Sequence, residues 1–385
     1  MLSPLLKYPG GKTKELKYII PALPRSIKKY YEPFVGGGAV YFQMPSTIQN
    51  PQQYYINDRS HELMSLYQSV ANQDDDFKKT ILEMDSSWKG VDVFVQQNME
   101  SLKELMELGM KIADPKIRKM HFVDSLKNMK SNMVFAPKMF DAATFFKDIP
   151  VSLARKAAFL SKKADEDILI SDADFEDIIT TAFKSSIYVH YRDAFNDMSV
   201  FPLGVQAALY LFIRQYAYSS MFRYSKTGKF NVPYGGKSYN NIMMASKIEY
   251  FESEELQNLL TKTVMGNMDF ETFMDNHTPE PGDFIFLDPP YDTDFSTYAN
   301  NEFGQSEQER LADYLIHKTA ANWMMIIKST DLINSLYPES VDAANGQKIH
   351  VTGFDKSYGV NFMNRNEKDV EHLIITNYQL PNLEL

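Results

Sequence analysis

The architecture of this chain follows from one short run of residues, Phe284-Ile285-Phe286-Leu287-Asp288-Pro289-Pro290-Tyr291. Its four apolar residues predict a buried strand, and the Asp-Pro-Pro that follows ends the strand. The carboxyl end of this strand therefore carries an acid, two proline carbonyls and an aromatic ring. In open α/β sheets, ligands bind at this edge.

The polar part of this run suits methylation of an exocyclic aromatic amine. Such a nitrogen is a poor nucleophile because its lone pair is delocalised into the ring, and two hydrogen-bond acceptors draw it towards a tetrahedral form. The Asp288 carboxylate supplies one acceptor and the Pro289 carbonyl the other, since consecutive prolines are extended and donate no hydrogen bonds. Tyr291 offers a face for an extruded base. The alternative is an ordinary turn after a strand, where Asp and Pro are common.

Composition narrows the class of protein. The chain has 385 residues and 44% hydrophobic content, which suits two domains or one domain with a large insertion. It has no cysteine, and this excludes disulfides and thiolate metal sites. The amino terminus lacks a basic-then-apolar signal pattern, and no apolar run approaches the length of a membrane span. We therefore expect a cytoplasmic protein of bacterial or phage type, with no membrane partner.

The distribution of charge leaves a nucleic-acid partner open. A net charge of -10 argues mildly against binding to phosphates. Positive charge nevertheless clusters between Lys7 and Lys29 and between Arg223 and Lys237, and the local field decides binding. The acidic residues from Asp165 to Asp177 suit either a nuclease metal site or a solvated face, and we expect the solvated face. His121 and His190 have no partners at metal-ligand spacing, so we expect no metal.

Two glycine turns near the amino terminus suit ligand binding. The first, Lys7-Tyr8-Pro9-Gly10-Gly11-Lys12, lets the backbone approach a ligand closely, and its lysines suit a carboxylate or a phosphate. A surface turn is the alternative. The second, Gly36-Gly37-Gly38, stands between a predicted strand at Tyr30 to Val35 and a predicted helix at Ala39 to Phe42. Strand, glycine turn and helix open the nucleotide-binding half of a doubly wound sheet. The turn lacks the G-x-G-x-x-G spacing, which disfavours a nicotinamide cofactor.

An acid follows the next predicted strand. Gln53-Tyr54-Tyr55-Ile56-Asn57 ends in Asp58, about twenty residues after the second glycine turn. An acid at this place binds the hydroxyls of a ribose in many cofactor sites. The alternative for Asp58 is capping of the following helix.

A basic and aromatic hairpin is predicted later in the chain. Two aromatic runs flank Lys226-Thr227-Gly228, and between them they interleave rings with basic side chains. Such a hairpin suits a probe of duplex DNA, with charges for phosphates and forked donors for base edges. The alternative is an exposed hairpin without function. Residues 71 to 200 show mostly helical periodicity.

The motifs Lys-Tyr-Pro-Gly-Gly-Lys, Glu-Pro-Phe-Val-Gly-Gly-Gly, Asn-Asp and Asp-Pro-Pro-Tyr, in this order, resemble those of the Dam-like, D12-type DNA adenine-N6 methyltransferases of the alpha motif order. The resemblance covers roughly the first 70 residues and most of the chain from Arg223 onwards. It implies S-adenosylmethionine as cofactor and duplex DNA as substrate. Gly235-Gly236-Lys237 departs from the arginine and aromatic residues of well-known members, so their GATC target is not carried over.

The resemblance also implies roles for residues at matching positions. The catalytic set is Asp288, Pro289, Pro290 and Tyr291. The cofactor-binding set is Tyr8, Lys12, Glu32, Phe34, Gly36, Gly38, Asp58, Asp269, Phe270 and Asp288. The DNA-binding set, on a hairpin at about 222–237, is Arg223, Tyr224, Lys226, Lys229, Asn231, Pro233, Tyr234 and Lys237.

Together these features predict an α/β protein. We expect a doubly wound, Rossmann-like methyltransferase sheet from residues 1–70 and 255–385, with an inserted, mainly helical target-recognition region at 71–254. The expected activity is site-specific adenine-N6 methylation of duplex DNA, which leaves open a cognate restriction endonuclease as a system partner. Two alternatives remain: a cytosine-N4 or RNA adenine methyltransferase, and a catalytically idle DNA-binding protein on the same fold.

Overall fold

The computed structural model describes residues 2–8, 10–47, 50–291, 303–356 and 370–380. The chain divides into two compact units, one formed by Met1–Ala71 with Ser253–Leu385 and the other by Asn72–Glu252. In the described ranges, the first unit contains a mixed sheet with helices and the second unit is mainly helical. None of the described helices has the length and apolar character needed to cross a membrane.

The first unit contains a seven-stranded sheet in the order β3-β2-β1-β4-β5-β7-β6. The strands are β1 Lys29–Glu32, β2 Gln53–Asn57, β3 Thr263–Gly266, β4 Phe284–Leu287, β5 Asn322–Lys328, β6 His350–Lys356 and β7 Val370–Thr376. Strands β1 to β5 pair with one another in parallel, and β7 is antiparallel to both β5 and β6. This is an α/β sheet of Rossmann-like type, so the predicted fold class is confirmed.

The central strands are apolar because both faces of the sheet are covered. All four residues of β4 are buried, as are five successive residues of β5, which is typical of parallel strands between two layers of helices. Strand order reverses between β1 and β4, where Tyr30 pairs with Phe284. A doubly wound sheet has its ligand crevice at the carboxyl ends of the strands beside such a reversal.

Among the described residues, the first unit has six α-helices. They are α1 Leu16–Ile19, α2 His61–Ala71, α10 Glu254–Leu260, α11 Phe270–Asn276, α12 Gln305–Asp313 and α13 Asp331–Leu336. The helix predicted after the second glycine turn is a 3-10 helix instead, at Tyr41–Ser46. It contains Pro45, which has no N–H to donate to an α-helical ladder, and 3-10 geometry is common in such short segments.

The second unit is built from seven α-helices. They are α3 Asp75–Gln97, α4 Met99–Met110, α5 Pro115–Lys127, α6 Ala143–Asp165, α7 Asp172–Asn196, α8 Leu203–Tyr216 and α9 Ala245–Phe251. Side-chain oxygens of Asp74, Asp114 and Ser171 cap the first turns of α3, α5 and α7, as acceptors at this position commonly do. The indole of Trp88 is completely buried and donates to the carbonyl of Asn240 over 2.9 Å.

A narrow hairpin follows α8 in the second unit. Tyr224 and Phe230 form an antiparallel bridge, and the amide of Ser225 donates to the carbonyl of Lys229 over 2.8 Å. Gly228 has a φ of 74°, a left-handed conformation that favours glycine in a tight turn.

Candidate active site

The Asp288 side chain follows β4 and meets the first glycine motif. Lys12 Nζ lies 2.5 Å from Asp288 Oδ1, and it also donates to the Gly10 carbonyl over 3.1 Å and to the Tyr291 hydroxyl over 3.3 Å. The Lys12 side chain is almost completely buried. The structure therefore brings together Lys12, which the sequence assigned to the cofactor, and two residues of the catalytic set.

Glu32 ends the neighbouring strand β1 and is buried. Its Oε2 accepts a hydrogen bond of 2.6 Å from the Tyr30 hydroxyl. Burial raises the pKa of Glu32 to about 8, and the negative charge of Asp288 adds to this rise, whereas the Tyr30 bond and the Lys12 charge oppose it. At neutral pH Glu32 therefore mainly carries a proton.

The second glycine turn has no room for side chains. Gly36 and Gly38 have φ values of 47° and 68°, and a Cβ on Gly38 would lie 2.6 Å from the Tyr67 hydroxyl. A Cβ on Gly37 would lie 2.9 Å from the Cβ of Tyr8. The Tyr8 side chain therefore lies directly against the turn, as two parts of one predicted cofactor site would.

The Asn57–Asp58 dipeptide connects the carboxyl ends of three strands. Asp58 accepts from the Gly36 amide over 3.0 Å and from the Ser60 amide over 2.9 Å. The Asn57 amide donates to the Pro33 carbonyl over 3.1 Å and to the Met268 carbonyl over 3.0 Å. Burial raises the pKa of Asp58, and its two backbone hydrogen bonds oppose this rise. Asp58 thus contacts both the glycine turn and the start of the next helix, and its ribose role stays a prediction.

Asp269 caps α11 and pairs with Arg310 of α12. Its carboxylate accepts from Arg310 Nη1 over 2.8 Å and from Nη2 over 2.6 Å, and also from the Glu271 amide over 3.1 Å. The Arg310 guanidinium holds the pKa of the Asp269 carboxyl below its usual range. Arg310 lies 4.5 Å from the ring centroid of Phe270. The predicted contact of Asp269 with a cofactor amine therefore depends on lone pairs that Arg310 leaves available.

Phe34 and Phe270 lie together beside this pair. Their ring centroids are 5.5 Å apart, and Phe303 makes an edge contact with Phe34 at 5.4 Å. The Phe270 side chain is buried in the core of the first unit, and Phe34 is packed against that core. Phe34 is thus the more accessible of the two aromatic residues assigned to the cofactor.

Sequence reasoning missed two side chains that contact the predicted catalytic loop. Gln308 of α12 is completely buried and donates from Nε2 to the Pro290 carbonyl over 2.9 Å. His372 of β7 is also buried, and its Nε2 lies 3.3 Å from the Tyr291 hydroxyl. A histidine within an apolar strand, directly before Leu373, is a signal that the sequence shows. By contrast, nothing in the local pattern distinguishes Gln308 from the exposed glutamine of the same helix.

The predicted DNA-binding residues of the second unit do not form one group. Arg223, Lys226, Lys229 and Asn231 are exposed on the hairpin, and Tyr224 is partly buried there. Arg223 Nε donates to the side-chain oxygen of Asn231 over 2.9 Å. Lys229 Nζ lies 3.7 Å from an Asp197 oxygen.

The remaining three residues of that set already have partners within the second unit. The Tyr234 hydroxyl donates to the Asn240 side chain over 2.8 Å, and its ring lies 5.5 Å from that of Trp88. The Pro233 carbonyl accepts from the Tyr218 amide over 2.9 Å. Lys237 forms ion pairs of 2.9 Å with Asp174 and 2.7 Å with Asp177, and these raise its pKa. A role of Lys237 in binding phosphate would require these carboxylates to release it.

Within the described ranges, no group of three or more His, Asp and Glu side chains is arranged to hold a metal ion.

Comparison with known proteins identifies similarity along most of the chain. The sequence profile of the D12 class N6 adenine-specific DNA methyltransferases matches residues 8–147 and 155–352. The type II methyltransferase M.CviBI of Paramecium bursaria Chlorella virus NC1A is 23% identical over 379 residues, which cover 98% of this chain and 100% of that protein. This similarity includes the helical second unit.

Two further relatives show how the similarity varies. The type II methyltransferase M.MjaIII of Methanocaldococcus jannaschii is 25% identical over 353 residues, 87% of this chain and 88% of its own length. The retron Ec67 DNA adenine methylase of Escherichia coli is 29% identical over 159 residues, 40% of this chain and 53% of its own. The match to this last relative therefore spans only about half of each protein.

Proposed function

Because this chain belongs to the D12 class N6 adenine-specific DNA methyltransferases, we propose that Asp288 to Tyr291 form its catalytic loop, with Glu32, Lys12 and the second glycine turn beside it. The chain is an adenine-N6 DNA methyltransferase, similar along its length to proteins named type II methyltransferases. The assignment of individual residues rests on the contacts described above.

One observation carries the proposal for Asp288. Its carboxylate accepts a hydrogen bond from a nitrogen donor, Lys12 Nζ, at 2.5 Å, next to the ring of Tyr291. An adenine amine is neutral, but it also presents N–H donors to this acceptor, and the ionised carboxylate makes their hydrogen bonds charge-assisted. Charge-assisted bonds of this kind are roughly twice as strong as neutral ones. Asp288 is thus a strong acceptor for an amine that enters the site.

We propose S-adenosylmethionine as the cofactor. The second glycine turn fits such a ligand, since it excludes side chains and exposes backbone at the edge where sheet ligands bind. Tyr8, Phe34, Gly36, Gly38 and Asp58 would hold it. When bound, it supplies an electrophilic methyl group on a sulfonium, so the protein needs neither a covalent nucleophile nor a metal.

The catalytic loop itself positions the substrate amine. Asp288 and the Pro289 carbonyl each accept a hydrogen bond from one N–H of the amine, and they draw its nitrogen towards a tetrahedral form. The extruded base stacks on Tyr291. The incoming amine displaces the Lys12 ammonium from the Asp288 carboxylate. The amine loses a proton after the methyl group is transferred, and Asp288 or water accepts it. Catalysis then rests on positioning and on electrostatics.

We propose that the second unit reads the target in duplex DNA. Arg223, Lys226 and Lys229 are exposed on its hairpin, where basic side chains suit phosphates and base edges. A cognate restriction endonuclease would act as a system partner, as the type II names of relatives suggest. Since the substrate is DNA, we place the action of the protein inside the cell.

Detection of the modified base tests this function. The purified protein would be incubated with S-adenosylmethionine and mixed-sequence duplex DNA, and the digested nucleosides would be separated by mass spectrometry. We expect N6-methyladenine from the wild type and none from Asp288→Asn. Formation of N4-methylcytosine, or methylation of RNA alone in a parallel incubation, would contradict adenine in duplex DNA as the substrate. Cofactor binding without methylation of any duplex would identify an idle DNA-binding protein.

A further inference from the structure

A cleft of about 330 Å³ lies between α5 and α6 of the second unit, outside the predicted hairpin. Four lysines surround it, and a largely buried apolar floor lies between them. The lysines are Lys119, Lys127, Lys130 and Lys147. All four side chains are exposed to solvent.

Only one of these four lysines has a carboxylate partner among the described residues. Lys127 Nζ lies 2.8 Å from Asp124. Across the part of the chain that the structure describes, no carboxylate oxygen lies within 4.0 Å of the ammonium groups of Lys119, Lys130 and Lys147. Residues 111–163 contain 12 lysines and arginines but only four acidic residues, although the chain as a whole has a net charge of -10. The cleft therefore lies in a basic region of an acidic protein.

Two basic residues of the predicted hairpin show the opposite arrangement, while Arg223 and Lys226 have no carboxylate partner among the described residues. Lys237 is held by Asp174 and Asp177, and Lys229 lies near Asp197. Neighbouring carboxylates weaken the attraction of these two lysines for phosphates, since a phosphate competes with charges already in place. Three of the four lysines around the α5–α6 cleft thus carry positive charge that no described carboxylate neutralises, and they surround one apolar floor.

The floor of the cleft adds an apolar surface to this charge. The Phe146 ring and Pro150 line it, and Lys130 Nζ lies 4.3 Å from the centroid of the Phe146 ring. A nucleic-acid backbone presents both features at a regular spacing, with charged phosphates and the apolar faces of the sugars. Lysines act as point charges towards phosphates and do not read base edges in the forked manner of arginine.

We propose that the α5–α6 cleft binds the phosphate backbone of duplex DNA, independently of its sequence. This inference rests on the proposed function, because it takes DNA as the substrate. The cleft adds affinity and the hairpin adds sequence discrimination. An acidic protein surface is the competing occupant, and the test separates the two.

The test compares two variants with the same change in net charge. The cleft variant is Lys119→Gln/Lys130→Gln/Lys147→Gln. The control is Lys78→Gln/Lys103→Gln/Lys162→Gln, whose exposed lysines form ion pairs with Glu252, Asp172 and Glu166 and lie outside the cleft. Fluorescence anisotropy would measure binding of each variant to duplexes without the target site between ~50 and ~200 mM salt, where phosphate contacts change affinity most visibly.

We expect the cleft variant to bind all duplexes more weakly and its log-log salt slope to fall by up to about 2.7, since each phosphate contact contributes roughly 0.9. The control should keep the wild-type slope. Lys119→Arg/Lys130→Arg/Lys147→Arg should restore binding, because it restores charge. In methylation assays, the cleft variant should raise the KM for DNA and leave kcat at saturating DNA unchanged.

Two results would overturn the proposal. One is a cleft variant that binds DNA with the affinity and salt slope of the control, and this result would favour an acidic protein as the occupant. The other is a cleft variant that loses only cognate binding. Melting curves of all variants would verify folding. Wild-type methylation in the same assay tests the proposed function separately, since a cleft variant without effect leaves that activity intact.

Discussion

Lys12 and Asp288 form an ion pair in the candidate active site, with Nζ 2.5 Å from Oδ1 across 276 positions of sequence. The pair connects the first glycine motif to the catalytic loop. It also means that the acceptor proposed for adenine already has a partner. A substrate amine must therefore compete with an almost completely buried ammonium group.

The first prediction concerns Asp288. Asp288→Ala should abolish methylation, because the amine loses its charged acceptor. The variant also leaves the Lys12 ammonium buried without its carboxylate, so we expect a loss of stability of about 3 kcal/mol. Methylation kinetics and thermal melting measure the two effects. Adding Lys12→Met should recover stability but not turnover. A variant that keeps a tenth of wild-type turnover would contradict the mechanism, since this is a barrier change of only about 1.4 kcal/mol.

The second prediction follows from the raised pKa of Glu32, which is about 8. An acid with a raised pKa binds its proton more tightly in the folded state. Its contribution to stability is therefore fully present below the ordinary pKa of 4.5 and is lost as pH rises through about 8. Glu32→Gln should remove this loss of stability at rising pH, because glutamine does not ionise.

Denaturant unfolding at several pH values measures the effect of Glu32. The free energy of unfolding of the wild type, relative to Glu32→Gln, should fall between pH 5 and 9. Tyr30, Tyr67, Lys12 and Asp288 face this carboxyl or lie near it and are unchanged in the variant. Parallel pH profiles of the two proteins would show that Glu32 ionises normally.

The third prediction separates cofactor binding from capping at Asp58. Asp58→Ala should weaken S-adenosylmethionine binding by roughly 10- to 150-fold, because charge-assisted hydrogen bonds contribute about 1.5 to 3 kcal/mol. Transfer at saturating cofactor should change much less. Calorimetry measures the affinity. Because Asp58 also accepts from Gly36 and Ser60, a loss of stability with unchanged affinity would assign it to capping alone.

The fourth prediction concerns Gln308 as a positioning residue. Gln308→Ala removes the donor to the Pro290 carbonyl and should lower kcat by roughly 5- to 150-fold, since leaving a buried polar group unsatisfied costs about 1–3 kcal/mol. Cofactor affinity should stay unchanged. Gln305 is the matched control, because it lies on the same helix and is exposed. Equal kcat values for Gln308→Ala and Gln305→Ala would show that the loop holds its place without this bond.

The fifth prediction distinguishes two residues of the hairpin. The bond from Arg223 to Asn231 uses only the Nε–H among five donors. Arg223→Ala should therefore relax one target position at a cost of about 1–3 kcal/mol. Lys229→Ala should weaken binding evenly across sequences. Methylation of the cognate site and its single-base variants measures both. An even loss in both variants would restrict the hairpin to backbone contacts.

Local sequence was sufficient for the parts of the fold that depend on short-range patterns. The strand at Phe284–Leu287 and the turn at Gly36 to Gly38 occur where they were predicted, because apolar runs and glycines act through neighbouring residues. The strand at His350–Lys356 was not predicted. It contains Gly353, which disfavours a strand locally, and it is a strand because it pairs with β7.

Side-chain pairing was the part that sequence did not provide. Nothing near Asp288 identifies Lys12 as its partner, and nothing near Asp269 identifies Arg310, because each pair forms only when distant elements pack. Tyr234 matched a DNA-binding motif, yet its ring lies against Trp88. Motif matching gives the position of a residue in sequence, whereas burial and partners decide which of its atoms remain available to a ligand.

The division of the sheet between two segments of sequence also affects how the protein is made. β1 and β2 leave the ribosome early, but β3 follows β2 only after about 200 intervening residues, and β4 follows β1 after about 250. At bacterial and eukaryotic synthesis rates, this delay is roughly 10–50 s. During that time the helical segment can fold from local contacts, while the first two strands remain without their later neighbours and expose unpaired edges to other chains.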